Sequence, residues 1–392
     1  MQSQDSRSDA LRLAALHGAS FAVIGVSMPF LPVWMESRAL GPAAIGVLLA
    51  IPTVVRVLAT APLMRLADRP GGAFGLLVAG HGVTAVGYGL MLGAGDAVAI
   101  GALVALVALA QATIVPTGDL LTTEAVRANP GLNYGRLRVW GSLAFLATSL
   151  GGGVGLAVLP PDGILWSLVG LALLALAVAA WAARPLARGG GEAVPPAARL
   201  RLDLPRPLVL AILACALIQA SHAAVYAFGS IHWRALGFSG PVIGGFWAIG
   251  VVAEIGLFVG LGGAVGGGAR GLGLVALGGA AAVLRFGALA LDPGLAATVL
   301  LQAMHALTFA ATHLGAMAAL TALSPPGRRG AAQGAYAAAV ALAVALATVA
   351  SGLIYRAAGP AAFAAMVPLA LAGTALAFAA MRAGRGGRRE DP

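Results

Sequence analysis

Apolar runs long enough to cross a bilayer recur along the chain. Each is closed by a short polar or Gly/Pro break, and this alternation predicts twelve membrane-spanning helices. The runs lie at 11–34, 42–64, 73–93, 97–118, 138–158, 163–183, 207–231, 240–261, 271–291, 294–320, 331–355 and 360–381. Between them fall Gly41-Pro42, Pro70-Gly71, Pro160-Pro161, Asp292-Pro293, Pro325-Pro326 and Gly359-Pro360, dipeptides that end helices. A β-barrel would instead carry short segments of strict alternation. The first run is too long for a cleaved signal peptide and reads as a retained span.

The pattern repeats. Ile45 to Arg56 reads IGVLLAIPTVVR and Ile243 to Glu254 reads IGGFWAIGVVAE, with Ile-Gly and Ala-Ile in register. Upstream, Trp34 before Ala39-Leu40-Gly41 mirrors Trp233 before Ala235-Leu236-Gly237, and Ala19-Ser20 mirrors Ala220-Ser221. Two copies of one unit, offset by about half the chain, predict an all-α membrane protein of two pseudo-symmetric six-helix bundles, the organisation of many secondary transporters. The expected division is 1–184, a linker at 185–206, and 207–392.

Composition agrees, with 60% apolar and 10% charged residues. All 24 basic residues are arginine, and the net charge is +10. Their positions explain that excess without nucleic acid. With both termini inside, nineteen arginines fall in inward segments and three (Arg38, Arg234 and Arg356) in outward ones, while Arg56 and Arg285 lie within spans. This is the positive-inside pattern, and it places the chain in a bacterial inner membrane with a basic cytoplasmic linker. The single cysteine, Cys215, excludes an intrachain disulfide. No nucleotide-binding loop, metal-ligand cluster or nucleophile motif points to an enzyme, a cofactor or a metal. The expected partners are protons, membrane lipids and a small solute, bound by a monomer.

Chemistry therefore rests on polar groups inside the spans. Glu254 interrupts an otherwise apolar stretch, Ile243 to Phe258. A charge there costs about 3 to more than 10 kcal/mol, so a partner or a function must offset it. Arg285 stands alone in span nine and is one candidate partner, a histidine the other. In the aligned repeats Arg56 occupies the place of Glu254; it pairs with Asp119 or holds a substrate anion. Gln219, His222, Tyr226 and Trp233 share a face of span seven, Gln302, His305, Thr308 and Thr312 a face of span ten, Thr53, Arg56 and Thr60 a face of span two, and Gln111 and Gly118 one of span four. Against these readings, a buried histidine also serves simply to hydrogen-bond across helices. For His17, His81 and His232, near span ends or without polar company, that is the favoured reading. Tyr134, Arg136 and Arg138 read as structural, at the inner end of a span.

The turn Arg65-Leu66-Ala67-Asp68-Arg69-Pro70-Gly71 resembles the cytoplasmic signature G-x-L-A-D-R-x-G-R-R of the major facilitator superfamily. Met64 stands for its first Gly, and Gly72 and Ala73 for the closing basic pair. Three further stretches resemble the 3-phenylpropionate permease family. They are Asn133-Tyr134-Gly135-Arg136-Leu137-Arg138-Val139-Trp140-Gly141-Ser142; Gln219-Ala220-Ser221-His222 with Ile231-His232-Trp233 and Gly250-Val251-Val252-Ala253-Glu254; and Gln302-Ala303-Met304-His305 with Thr308-Phe309 and His313-Leu314. Neighbouring families carry sugars and nucleosides. The resemblance implies a gating role for Asp68 and Arg69. It also sets Glu254, Arg285 and His305 where lactose permease-like carriers place the carboxylate, arginine and histidine of their proton path.

These observations lead to a proton-coupled symporter that imports a small organic solute, an aromatic carboxylate such as a phenylpropionate, by alternating access. The candidate substrate residues are Arg56, Asp119, Gln219, His222, Tyr226, Trp247 and Gln302. Sugar or nucleoside symport and proton-driven efflux remain open alternatives. A channel or receptor would not need a two-fold repeat around buried charges.

Overall fold

Backbone N–H and C=O groups find no water in a bilayer and must bond within the segment that carries them, which leaves helix as the solution for apolar runs of this length. The computed structural model describes residues 2–129, 131–186, 204–261, 268–325 and 328–386. Among them are twelve helical spans long and apolar enough to cross a membrane, at the twelve places the hydrophobic pattern predicts. Most of the linker expected at 185–206 lies outside the described residues.

The first unit holds α1 (Gln2–Ser37), α3 (Gly72–Met91), α4 (Ala97–Gln111), α5 (Ile114–Ala128), α6 (Tyr134–Val158) and α7 (Gly163–Leu186), with most of α2 (Pro42–Met64). The second holds α8 (Arg206–Ala220), α9 (Ala223–Ala235), α11 (Gly268–Leu289), α12 (Leu295–Ala303), a π-helix (Ala306–Ala311), α13 (Thr312–Leu323), α14 (Arg329–Ala358), α15 (Ala361–Ala364) and α16 (Val367–Gly386), with the later part of α10 (Gly240–Leu261). Residues 41–50 group with the second unit and 237–248 with the first. The two divided helices thus split at the same point of the repeat, after Ala50 and after Ala248.

Packing follows the repeat as well. In the first unit α1 packs on α6 and α7, and α3 on α4 and α7; in the second, α8 packs on α14 and α16, and α11 on α13 and α16. Each unit has its own apolar core. Leu13, Leu77, Ile114 and Leu121 belong to one, and Leu208, Ile212, Cys215 and Val275 to the other. Each also has a polar brace that ties span ends together. Asp162 accepts from Trp34 Nε1 at 3.0 Å and from Arg38 at 2.6 Å, and His232 bonds Asp292 at 2.8 Å and the Tyr355 hydroxyl at 3.1 Å.

Four spans depart from the pattern read off the sequence. Span four does not end at 118: after a break at residues 112–113 it continues to Ala128. Its polar residues are tolerated because Thr122 and Thr123 turn their hydroxyls back onto the carbonyls of Gly118 and Asp119, at 2.7 and 3.0 Å. Span five starts at Tyr134 rather than 138, because Asn133 caps it by accepting from the Arg136 backbone N–H at 3.0 Å. Span seven is interrupted between Ala220 and Ala223, and span ten contains the π turn. In the turn after α2, Gly71 has φ +72°, a conformation that favours glycine.

Candidate functional site

Span seven breaks at Ser221 and His222, and their side chains bond the carbonyls beside the break. Ser221 Oγ donates to Ile218 O at 2.6 Å, and His222 Nδ1 lies 3.1 Å from Ile218 O and 3.3 Å from Gln219 O. A carbonyl only accepts, so Nδ1 carries the proton and Nε2 is left as an acceptor. It accepts from the Thr308 hydroxyl at 2.9 Å.

Arg285 is 2% exposed, on α11. Glycines bring α11 against span ten. A Cβ on Gly315 would run into Gly271 O, and one on Gly278 into Thr312 Oγ1. At that close approach the guanidinium reaches three acceptors, Gln302 Oε1 at 2.8 Å, Thr308 Oγ1 at 3.0 Å and His305 Nδ1 at 3.2 Å. An arginine cannot accept, so His305 Nδ1 must. The neutral ring then carries its proton on Nε2, which lies 3.7 Å from Glu254 Oε2. Arg285, His305 and Glu254 form a line of cation, imidazole and carboxylate. In their neutral forms the two histidines are held in opposite tautomers, His305 by the Arg285 guanidinium and His222 by the Ile218 and Gln219 carbonyls.

Aromatic rings close around this line. His222 stacks on Tyr226 at 5.6 Å between ring centroids and meets His305 edge-on at 5.6 Å and Phe286 at 5.1 Å. Of the two partners weighed for Glu254, the histidine is within reach, with His305 Nε2 at 3.7 Å from Glu254 Oε2. Gln219 bonds the Tyr336 phenol of α14.

In the first unit Arg56 lies midway along its span, with no side-chain hydrogen bond or ion pair among the described residues. Thr60 Oγ1 donates to Arg56 O at 2.7 Å, and Gln111 bonds the nearby buried Tyr88 hydroxyl at 3.4 Å. The expected pairing of Arg56 with Asp119 does not occur. Asp119 accepts from Tyr134 OH at 2.8 Å and lies 3.8 Å from Arg138 Nε, and Arg138 covers the Phe21 ring at 3.9 Å. The motif beginning at Asn133 is therefore a cap and a brace. Trp247 is buried in the part of α10 that groups with the first unit. Asp68 and Arg69 sit in the turn after α2, with no ion pair among the described residues.

The three histidines read as hydrogen-bonding across helices do so: His17 bonds Thr122 at 2.9 Å and His81 faces Ser20 at 3.4 Å, as His232 faces Asp292 and Tyr355. Tyr88 and the π turn were not among the expected features. The i, i+4, i+8 spacing of His305, Phe309 and His313 was a legible signal of a further feature on span ten.

The chain matches the MFS_1 like family over residues 11–365. It is 30% identical over 369 residues to a probable 3-phenylpropionic acid transporter of Escherichia coli (strain K12), covering 90% of this chain and 92% of that one. Its fold is that of the nucleoside transporter NupG, with a TM-score of 0.79 at 16% identity over 96% of this chain and 98% of NupG. A bacterial homologue of the human lysosomal transporter Spinster superimposes with a TM-score of 0.75 at 14% identity, covering 96% of this chain and 97% of that one.

Proposed function

The chain belongs to the MFS_1 like family of membrane transporters, and from that premise we propose that it is a proton-coupled symporter importing a small aromatic carboxylate of the phenylpropionate type. The observation that carries the proposal is the line from Arg285 through His305 to Glu254. A carboxylate in an apolar span, facing an imidazole whose tautomer is fixed, is a site that can hold a proton and release it. Arg56 supplies the countercharge for the substrate carboxylate. The relative named for 3-phenylpropionic acid supports that substrate class. Asp119, held by Tyr134 and Arg138, has no part in the proposal.

A ligand panel scored by thermal stabilisation of the purified protein tests the substrate class. Arylpropionates raise the melting temperature; a shift with nucleosides or disaccharides alone contradicts the assignment. Arg56→Gln should weaken binding of an arylpropionate far more than of its neutral amide, because the charge-assisted contact is the one removed. Equal loss for both ligands would make Arg56 structural.

The proposed orientation puts both termini and the segment from Arg184 to Arg206 in the cytoplasm of a bacterial inner membrane. Protease added outside intact spheroplasts should leave that segment whole. Cleavage there would reverse the orientation.

A further inference from the structure

Span ten carries two histidines eight residues apart, and one of them has no part in the cluster around Arg285. His313, on α13, is half-buried. Its ring has no hydrogen bond or ion pair among the described residues. It ends a column of three rings. His305 and Phe309 lie parallel, with centroids 5.1 Å apart and planes at 16°, and Phe309 and His313 lie 6.3 Å apart at 5°. The π turn accounts for the alignment. Four residues of α-helix add about 40° of rotation, and the looser turn takes it back.

The neighbouring helix keeps step. Phe258, four residues beyond Glu254 on α10, meets His313 edge-on at 6.5 Å. The two helices therefore present successive rungs: Glu254 with His305, then Phe258 with His313. The second rung lies nearer the side to which the arginine distribution assigns the cytoplasm. The elements packed on α13 carry Arg270 and Arg285 on α11, Arg206 and Cys215 on α8, and Arg329, Tyr336, Tyr355 and Arg356 on α14, and α10, which reaches it through Phe258, carries Glu254. None of them pairs with His313.

We infer that His313 is a second proton-carrying residue of the transport cycle, receiving the proton from the Glu254–His305 pair on its way to the cytoplasm, with Phe309 as the apolar spacer between the two stations. The inference rests on the proton-coupled reading above. In the transfer the O–H bond of Glu254 breaks, water carries the proton past Phe309, and an N–H bond forms on the neutral His313 ring. That bond then breaks to cytoplasmic water. Phe309 keeps the two stations from exchanging protons when no substrate is carried.

The test uses the full chain in proteoliposomes of one orientation, with lumenal pH varied between about 5 and 8, where an ordinary histidine titrates. In the parent, uptake slows as the lumen is acidified, because the pH gradient shrinks and because His313 releases its proton more slowly. His313→Gln keeps the part set by the gradient and loses the part set by the histidine, so its lumenal pH profile changes shape while counterflow and the dependence on external pH stay intact. Phe309→Ala admits protons without substrate, and adding His313→Gln abolishes the leak. A His313→Gln variant with the parent's lumenal pH profile and normal counterflow overturns the assignment, as does a Phe309→Ala leak that persists in the double variant. If the parent takes up no protons with its substrate, the underlying proton-coupled reading fails instead.

Discussion

Glu254→Gln should keep counterflow and lose accumulation. The amide has the shape of the protonated acid, and a neutral group rests in an apolar span at far lower cost than an unpaired carboxylate. The variant should therefore bind substrate and exchange it across the membrane at equal concentrations. It cannot take a proton on one side and release it on the other, so the proton gradient no longer enters the cycle. Symport of one proton with one monocarboxylate is electroneutral, so the driving force is the pH gradient alone. Each pH unit supplies about 1.4 kcal/mol, or roughly tenfold accumulation. In the same vesicles, Glu254→Gln should fall from that ratio to simple equilibration. Accumulation at the parent's level would move the proton site to His305 or His222.

The second large effect is expected at Arg285. Its guanidinium serves Gln302, His305 and Thr308 at once. Arg285→Ala removes three hydrogen bonds from partners on span ten. Leaving a buried partner unsatisfied costs about 1–3 kcal/mol each, so a loss of several kcal/mol and a clear fall in melting temperature should follow. His305 would also lose the donor that fixes its tautomer, and coupled uptake should vanish. Arg285→Lys keeps the charge but not the planar fork. It should recover part of the stability without the coupling. Parent-like melting and coupled uptake in Arg285→Ala would mean that the cluster is incidental.

The twelve spans were legible because a bilayer imposes one length and one composition on whatever crosses it. The meeting of Glu254, His305 and Arg285 was legible in outline, since buried charges must find partners. What the sequence hides is where a helix bends from its own axis. The break in span seven carries neither Gly nor Pro. It is held by Ser221 and His222, whose polarity reads equally well as a binding stripe. The π turn lies in a run of Ala, Leu, Thr and Phe that would suit an unbroken α-helix. Of the two roles open to Arg56, pairing with Asp119 fails for a related reason. Charge alone suggested the match, whereas Tyr134 and Arg138 at the start of the next span already satisfy the carboxylate.

The central claim is that substrate and proton travel together through Glu254. It is tested most directly by recording both fluxes in one preparation: proteoliposomes with no initial pH gradient, 3-phenylpropionate added outside, and entry of substrate and protons followed together, with protein-free liposomes subtracted. The account predicts one proton entering with each substrate molecule in the parent, and no such coupled proton entry in Glu254→Gln. Substrate entry in the parent without proton entry, or equal proton entry in both chains, would contradict it.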